Sequence, residues 1–131
     1  MTGIPEDARD LFTSESFAAY VTLYPDGRPQ VTPVWIDYDA DAAQVLVNTA
    51  TGRRKDTNVE NDPRVSVMVL DPDDPYRYIS VDGRAERTTT GAVEHIDSLA
   101  QRYMGVDEYP HHGDEAGDRI LHRITPEHVI W

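Results

Sequence analysis

The residues with the strongest claim to chemistry are Arg53, Arg54 and Lys55, which follow one another directly. They stand out because the 131-residue chain carries 12 Lys and Arg against 24 Asp and Glu, a formal charge of -12. A random chain of that composition would hold about 0.1 such triplets. Lys55 is also the only lysine; the other basic residues are arginines. The triplet lies in Thr49-Ala50-Thr51-Gly52-Arg53-Arg54-Lys55-Asp56-Thr57-Asn58, which follows an apolar run and opens a helical pattern. Free amides at a helix start attract anions, threonine hydroxyls add donors, and arginine grips a phosphate with two parallel bonds. One reading is therefore a phosphate cradle. The other is a solvated basic turn that pairs with the acidic surface.

A second constellation is Thr32-Pro33-Val34-Trp35. Trp35 offers a wide flat face that could wall a planar ring or simply pack in the core. A proline inside a strand removes a ladder donor, so Pro33 marks an edge or a bulge. The histidines are His95, His111, His112, His122 and His128. His111 and His112 lie near Asp114 and Glu115, but their spacing matches no zinc pattern and reads as solvated loop. No metal is expected. Without cysteine there is no disulfide, zinc ribbon or thiolate nucleophile. No Gly-x-Ser-x-Gly, phosphate-loop or dinucleotide fingerprint appears, which argues against hydrolases and nucleotide triphosphatases.

These residues need a scaffold to position them. The length fits one domain, residues 1–131, with one core. A charge of -12 repels polyanions, so nucleic acid and acidic lipid are unsuited partners. No apolar run is long enough for a membrane helix, and the start has no secretory pattern, so a cytoplasmic location is expected.

Pro5 to Phe12 reads as a short helix. Phe17 to Tyr24 reads as a strand, and Pro25-Asp26-Gly27-Arg28 as a hairpin turn. Strands follow at Gln30 to Tyr38 and Gln44 to Thr49. A short helix from about Arg53 to Asn61 should stop before Pro63. Val65 to Val69 alternates as a strand, and Tyr76 to Arg87 as a long one with Gly83 as a bulge. Val93, Ile96, Leu99, Ala100 and Tyr103 recur at helical spacing, with Thr90 as the expected cap and Gly105 as the stop. The last strand is Arg119 to Ile124, which Pro126 should break. Short turns between neighbours imply antiparallel pairing. The expected fold is mainly β (α+β), a six-stranded antiparallel barrel with short helices.

The strings Pro29-Gln30-Val31-Thr32-Pro33-Val34-Trp35, Arg53-Arg54-Lys55-Asp56-Thr57-Asn58 and Asn61-Asp62-Pro63-Arg64-Val65, in that order and spacing, resemble the pyridoxamine 5'-phosphate oxidase-like superfamily of split β-barrel flavoproteins. Tyr76-Arg77-Tyr78-Ile79, Gly83-Arg84-Ala85-Glu86, His95-Ile96-Asp97 and Arg102-Tyr103-Met104-Gly105 resemble its small deazaflavin- and flavin-dependent reductases. The resemblance runs from about Ser16 to the C-terminus. It implies an FMN-binding type of split barrel, and a homodimer with two cofactor sites at the interface.

The implied cofactor is coenzyme F-420 (a deazaflavin) or FMN. Arg53, Lys55 and Asn58 match the subgroup's Arg-x-Lys-x-x-Asn phosphate pattern. Arg54 and Lys55 match the Arg-Lys pair of the oxidase itself. Thr32, Pro33, Val34 and Trp35 fall where the second strand lines the ring. Thr49 and Thr51 fall beside the ring and its polyol chain. The implied activity is hydride transfer to a small unsaturated or quinone-like organic substrate. The alternatives are an FMN-dependent pyridoxamine phosphate oxidase-like enzyme, against which the absence of a counterpart to that oxidase's C-terminal substrate-binding segment counts, and a non-catalytic flavin-binding module.

Overall fold

The computed structural model describes residues 3–114 and 117–131. Seven strands form a single antiparallel sheet in the order β2-β1-β5-β6-β7-β4-β3. They are β1 (Phe17–Leu23), β2 (Pro29–Trp35), β3 (Asp37–Asp39), β4 (Gln44–Ala50), β5 (Arg64–Leu70), β6 (Tyr78–Thr88) and β7 (Arg119–Ile130). A 3-10 turn at Glu6–Ala8 leads into α1 (Asp10–Thr13); α2 (Arg54–Asn61) and α3 (Ala92–Met104) complete the chain. The sheet's two outermost strands, β2 and β3, are separated by one residue, Ile36. The sheet must therefore curl back on itself, giving the split β-barrel.

The strand count is seven, not six, because the strand expected at Gln30 to Tyr38 divides at Ile36. That residue's backbone is taken by α3 instead of the ladder: Arg102 Nη1 donates to its carbonyl at 2.9 Å, and Tyr103 Oη accepts from its amide at 3.2 Å. The last strand also differs from expectation, running through Pro126 to Ile130. The register slips between Asp82 and Gly83, where Gly83 faces Pro126. The proline's missing donor falls at that bulge, and a side chain on Gly83 would collide with the Thr125 carbonyl. Gly91, with φ of 75°, and not Thr90, caps α3.

The core is built by alternation: Val65, Val67 and Val69 of β5 meet Ile79 and Val81 of β6, Val45 and Val47 of β4 and Ile124 of β7. On β1 the inward residues are Ala18, Tyr20 and Thr22. Its more apolar face, with Phe17 and Val21, looks outward. Neighbouring strands extend that face with exposed Val31, Met68 and Leu70. α2 plugs the barrel over β1 and β6, and α3 covers β4 and β7 through Leu46, Ala92 and Leu121. Among the described residues no helix is long and apolar enough to cross a membrane.

Candidate functional site

A cleft of about 350 Å³ opens where β2, β4, the start of α2, α3 and the Tyr109–His111 turn converge. Its cationic side holds Arg53, Lys55 and Arg119. Its apolar side holds Phe17, Pro33, Val34, Trp35, Ile96 and Met104. Trp35 is fixed by stacking on Tyr103, with ring centres 4.9 Å apart and planes within 5°. Tyr109 meets it edge-on at 6.3 Å. One wall can thus hold a flat ring and the other an anion.

The helix at the cationic end begins after Gly52, whose φ of 89° turns the chain out of β4. No side chain caps α2 among the described residues, so its first amides remain available. Lys55 is half-buried and has no carboxylate partner among the described residues. Burial pushes its ammonium below the ordinary lysine range, and the like charges of Arg53 and Arg119 push the same way.

Directly beneath, the next residue does the opposite. Asp56 turns inward and takes a two-point bond from Arg87, Nε to Oδ1 at 2.8 Å and Nη2 to Oδ2 at 2.7 Å. It also bonds His122 Nε2 at 2.9 Å, and His122 Nδ1 bonds Tyr20 Oη at 2.7 Å. Burial holds both the Tyr20 phenol protonated and the His122 ring neutral. Tyr20 therefore donates to Nδ1, and Nε2–H donates to Asp56. Burial pushes Asp56 upward, but the bonds from Arg87 and His122 outweigh it and keep it ionised.

Of the ten residues singled out in the sequence, Pro33, Val34, Trp35, Thr49, Arg53 and Lys55 line this cleft. The other four lie around it. Thr51 Oγ1 accepts from the Asp118 amide, tying β4 to the approach of β7. Arg54 lies over the Tyr24 ring at 5.5 Å. Asn58 is buried and donates to Thr22 Oγ1 at 3.0 Å, bracing α2 against β1. Thr32 faces inward on β2. Among the described residues, three buried side-chain atoms lack any hydrogen-bond partner: Thr32 Oγ1, Thr49 Oγ1 and Asn58 Oδ1. All three belong to the residues selected from sequence, and Thr49 faces the cleft itself.

Sequence reasoning missed Asn48, Arg119 and Tyr109 as cleft residues. Asn48 was detectable as the polar interruption of an apolar strand; Arg119 and Tyr109 carried no local signal. His111 reaches the cleft, while His112 Nε2 donates to Asp97 Oδ1 at 2.7 Å. Glu115 lies outside the described residues. Among those described, no group of three or more His, Asp or Glu is placed to hold a metal.

The curled antiparallel sheet, with a cleft that has one aromatic and one cationic wall, defines a split-barrel protein. Residues 4–130 match the family described as pyridoxamine 5'-phosphate oxidase, and the chain belongs to that family of oxidoreductases. Its fold is similar to a solved F420 reductase, with 29% identity and a TM-score of 0.82 over 97% of this chain and 98% of that one. A conserved hypothetical protein from Mycobacterium tuberculosis shares the fold, with 24% identity and a TM-score of 0.76 over 96% of this chain and 82% of that one. So does general stress protein 26 from Bacillus anthracis, with 21% identity and a TM-score of 0.69 over 95% and 89%.

Proposed function

We propose that the cleft holds a flavin-type cofactor, coenzyme F-420 in preference to FMN, and that the chain uses it to reduce a small unsaturated or quinone-like organic substrate. The observation that carries this reading is Lys55, a half-buried ammonium without a carboxylate among the described residues, at the uncapped start of α2 and opposite an aromatic wall. The preference for the deazaflavin is supported by the likeness to the F420 reductase along nearly the whole of both chains. Bound there, the cofactor would supply a hydride to the acceptor.

The chain's own residues bind, orient and exclude water. Arg53 and Lys55 take the phosphate, with Arg54 at the outer side of the same turn. Thr49 and Thr51 offer hydroxyls to the polyol chain. Thr32, Pro33, Val34 and Trp35 hold the ring from β2, and Asn58 keeps α2 at its angle to the barrel. Phe17 and Tyr109 shield the ring edge from solvent, where a charge-transferring step gains from a dry site.

A second copy of the chain completes this arrangement. The outward face of β1, β2 and β5 bears Phe17, Val31, Pro33, Met68 and Leu70, an apolar patch of the kind that marks an interface. Phe17 and Pro33 border both this patch and the cleft, so a partner docked here would close the cleft's open side. Light scattering should report a dimer, and Met68→Lys should shift it to monomer; a parent monomer with full cofactor affinity would contradict the shared site.

The activity is tested by mixing the protein with reduced F-420 and a panel of quinones and activated alkenes, and following reoxidation by absorbance. Protein-dependent oxidation with at least one acceptor is expected. Tight binding without turnover on any acceptor would make the chain a cofactor-binding module.

A further inference from the structure

A hydride delivered to an organic acceptor leaves a negative charge that a proton must cancel. A quinone becomes a quinol monoanion, and an alkene conjugated to a carbonyl becomes an enolate. Most polar groups of the cleft are poor sources of that proton. Arginine keeps its protons at any working pH, and amides and threonine hydroxyls do not titrate. Lys55 is engaged by the phosphate in the function proposed above. A proton donor works best when it titrates near the working pH, which favours an imidazole over a phenol such as that of Tyr109. Among the described residues, one histidine lines the cleft: His111.

The ring of His111 is exposed, yet its place is well defined. The loop after α3 is bonded back to that helix. The Tyr109 amide donates to Asp97 Oδ1 at 2.9 Å, and His112 Nε2 donates to the same oxygen at 2.7 Å. Gln101 Nε2 donates to the Asp107 carbonyl at 3.1 Å. The Tyr109 ring meets His111 edge-on with centres 5.4 Å apart, and Trp35 edge-on at 6.3 Å. One tyrosine thus links the histidine to the flat wall of the cleft. A tight turn follows, in which the Asp114 amide donates to the His111 carbonyl at 3.1 Å and Gly113 takes a φ of 86°. That turn brings the Asp114 carboxylate to 3.4 Å from His111 Nδ1. With Nδ1–H turned to the carboxylate, Nε2 is the ring's other nitrogen, and it has no hydrogen-bond partner among the described residues.

We propose that His111 is the proton donor of the cleft: its Nε2–H bond breaks as an O–H or C–H bond forms on the acceptor that has taken the hydride. This rests on the cofactor reading of the cleft. The two electrons of the hydride come from the reduced cofactor, which ends oxidised. The imidazolium ends neutral and regains its proton from the solvent to which the ring is open. The charged and titratable groups nearest to it are Asp114 on its own turn and Tyr109 beside it, with Arg119 and the Asp97–His112 pair on the far side of Tyr109.

Two measurements test this, the first without turnover. Pentafluorophenolate, a stable mimic of a quinol monoanion, is titrated into full-length protein loaded with oxidised F-420 and followed by fluorine NMR. Binding to the parent should weaken as pH rises through the ordinary histidine range. His111→Gln should bind the phenolate about ten-fold more weakly at the acidic end and lose that pH dependence. The second is single-turnover mixing with reduced F-420 and a quinone. His111→Gln should slow reoxidation about 100-fold, and the parent's rate should fall with rising pH while the variant's stays flat. Cofactor affinity, read by fluorescence titration, should change little.

A His111→Gln protein with the parent's pH dependence of phenolate binding, or with the parent's reoxidation rate, would overturn the proposal and make solvent the proton source. An equal loss of cofactor affinity and rate would also overturn it, since His111 would then be only part of the cofactor's wall. In both cases the cofactor reading stands, because the parent still binds F-420. If the parent binds neither F-420 nor FMN, the cofactor reading fails and this inference fails with it.

Discussion

Lys55 and Asp56 are neighbours in the chain, yet they belong to two regions built on opposite rules. Under α2, the Tyr20–His122–Asp56–Arg87 chain pairs each charge and each ring nitrogen. At the mouth of the cleft, Lys55 is partly desolvated beside like charges and has no carboxylate among the described residues. A buried charge is tolerated in a fold when it is matched, and leaving one unmatched costs stability. The interior chain is therefore a structural device, whereas in the function proposed above the charge of Lys55 is matched by a ligand. Altering each region should produce complementary losses.

The largest effect is expected from the interior. Asp56→Ala leaves Arg87 and His122 facing a void and should cost about 3 kcal/mol of unfolding free energy. Urea denaturation measures this, and a midpoint equal to the parent's would break the contrast. Lys55→Ala should do the reverse. Phosphorylated cofactor affinity should fall by about 10- to 100-fold, as expected for a charge-assisted bond, while the thermal midpoint stays level or rises. Fluorescence titration and a melt on the same sample check both halves.

A smaller effect comes from acid. His122 is kept neutral in the fold, chiefly by burial, although the Asp56 carboxylate pulls the other way. The unfolded chain takes up a proton near pH 6.5, and the folded one does so only at lower pH. The unfolded state then binds more protons, so stability should fall as pH drops below about 6.5. Asp56, held low in the fold, adds a second loss as pH falls through the ordinary carboxylate range and below. Urea midpoints at about pH 7.5 and 5.5 should show the first slope, and His122→Gln should flatten it.

The smallest effect should come from Arg77, which lies between Asp10 and Asp71 on the outer surface. Arg77 and Asp71 are only partly exposed, but pairs at the surface contribute less than a fully buried one. Arg77→Ala should leave cofactor affinity untouched and the melting curve nearly so.

The two regions were not equally legible in the sequence. The cleft's cations were visible because a basic triplet is rare in so acidic a chain, and β4 and the Pro63 stop placed it at a helix start. The interior chain joins residues 20, 56, 87 and 122, four separate elements that only the closed sheet brings together. Its one sequence trace is the inward face of β1, where Tyr20 and Thr22 are buried while Phe17 looks out. An alternation rule that sends apolar residues inward reads that strand backwards when the outer face is itself covered or waiting to be.

Non-local bonding explains the other differences. The break at Ile36 depends on Arg102 and Tyr103, more than sixty residues away. The passage of β7 through Pro126 depends on a register shift opposite Asp82 and Gly83, where β7 carries one extra residue, Glu127. Gly83 was expected from the sequence to be a bulge in its own strand; it instead faces the irregularity, whose extra residue lies in β7 beside Pro126, because register belongs to the pair of strands.

The central claim is that the cleft between Lys55 and Trp35 holds a phosphorylated flavin-type cofactor. A crystal structure of the protein soaked with F-420, with FMN as the parallel ligand, tests it most directly. The account predicts density for the phosphate within hydrogen-bonding distance of Lys55 Nζ and for the ring against Trp35. A ligand bound elsewhere, or a phosphate turned away from Lys55 toward solvent, would contradict it.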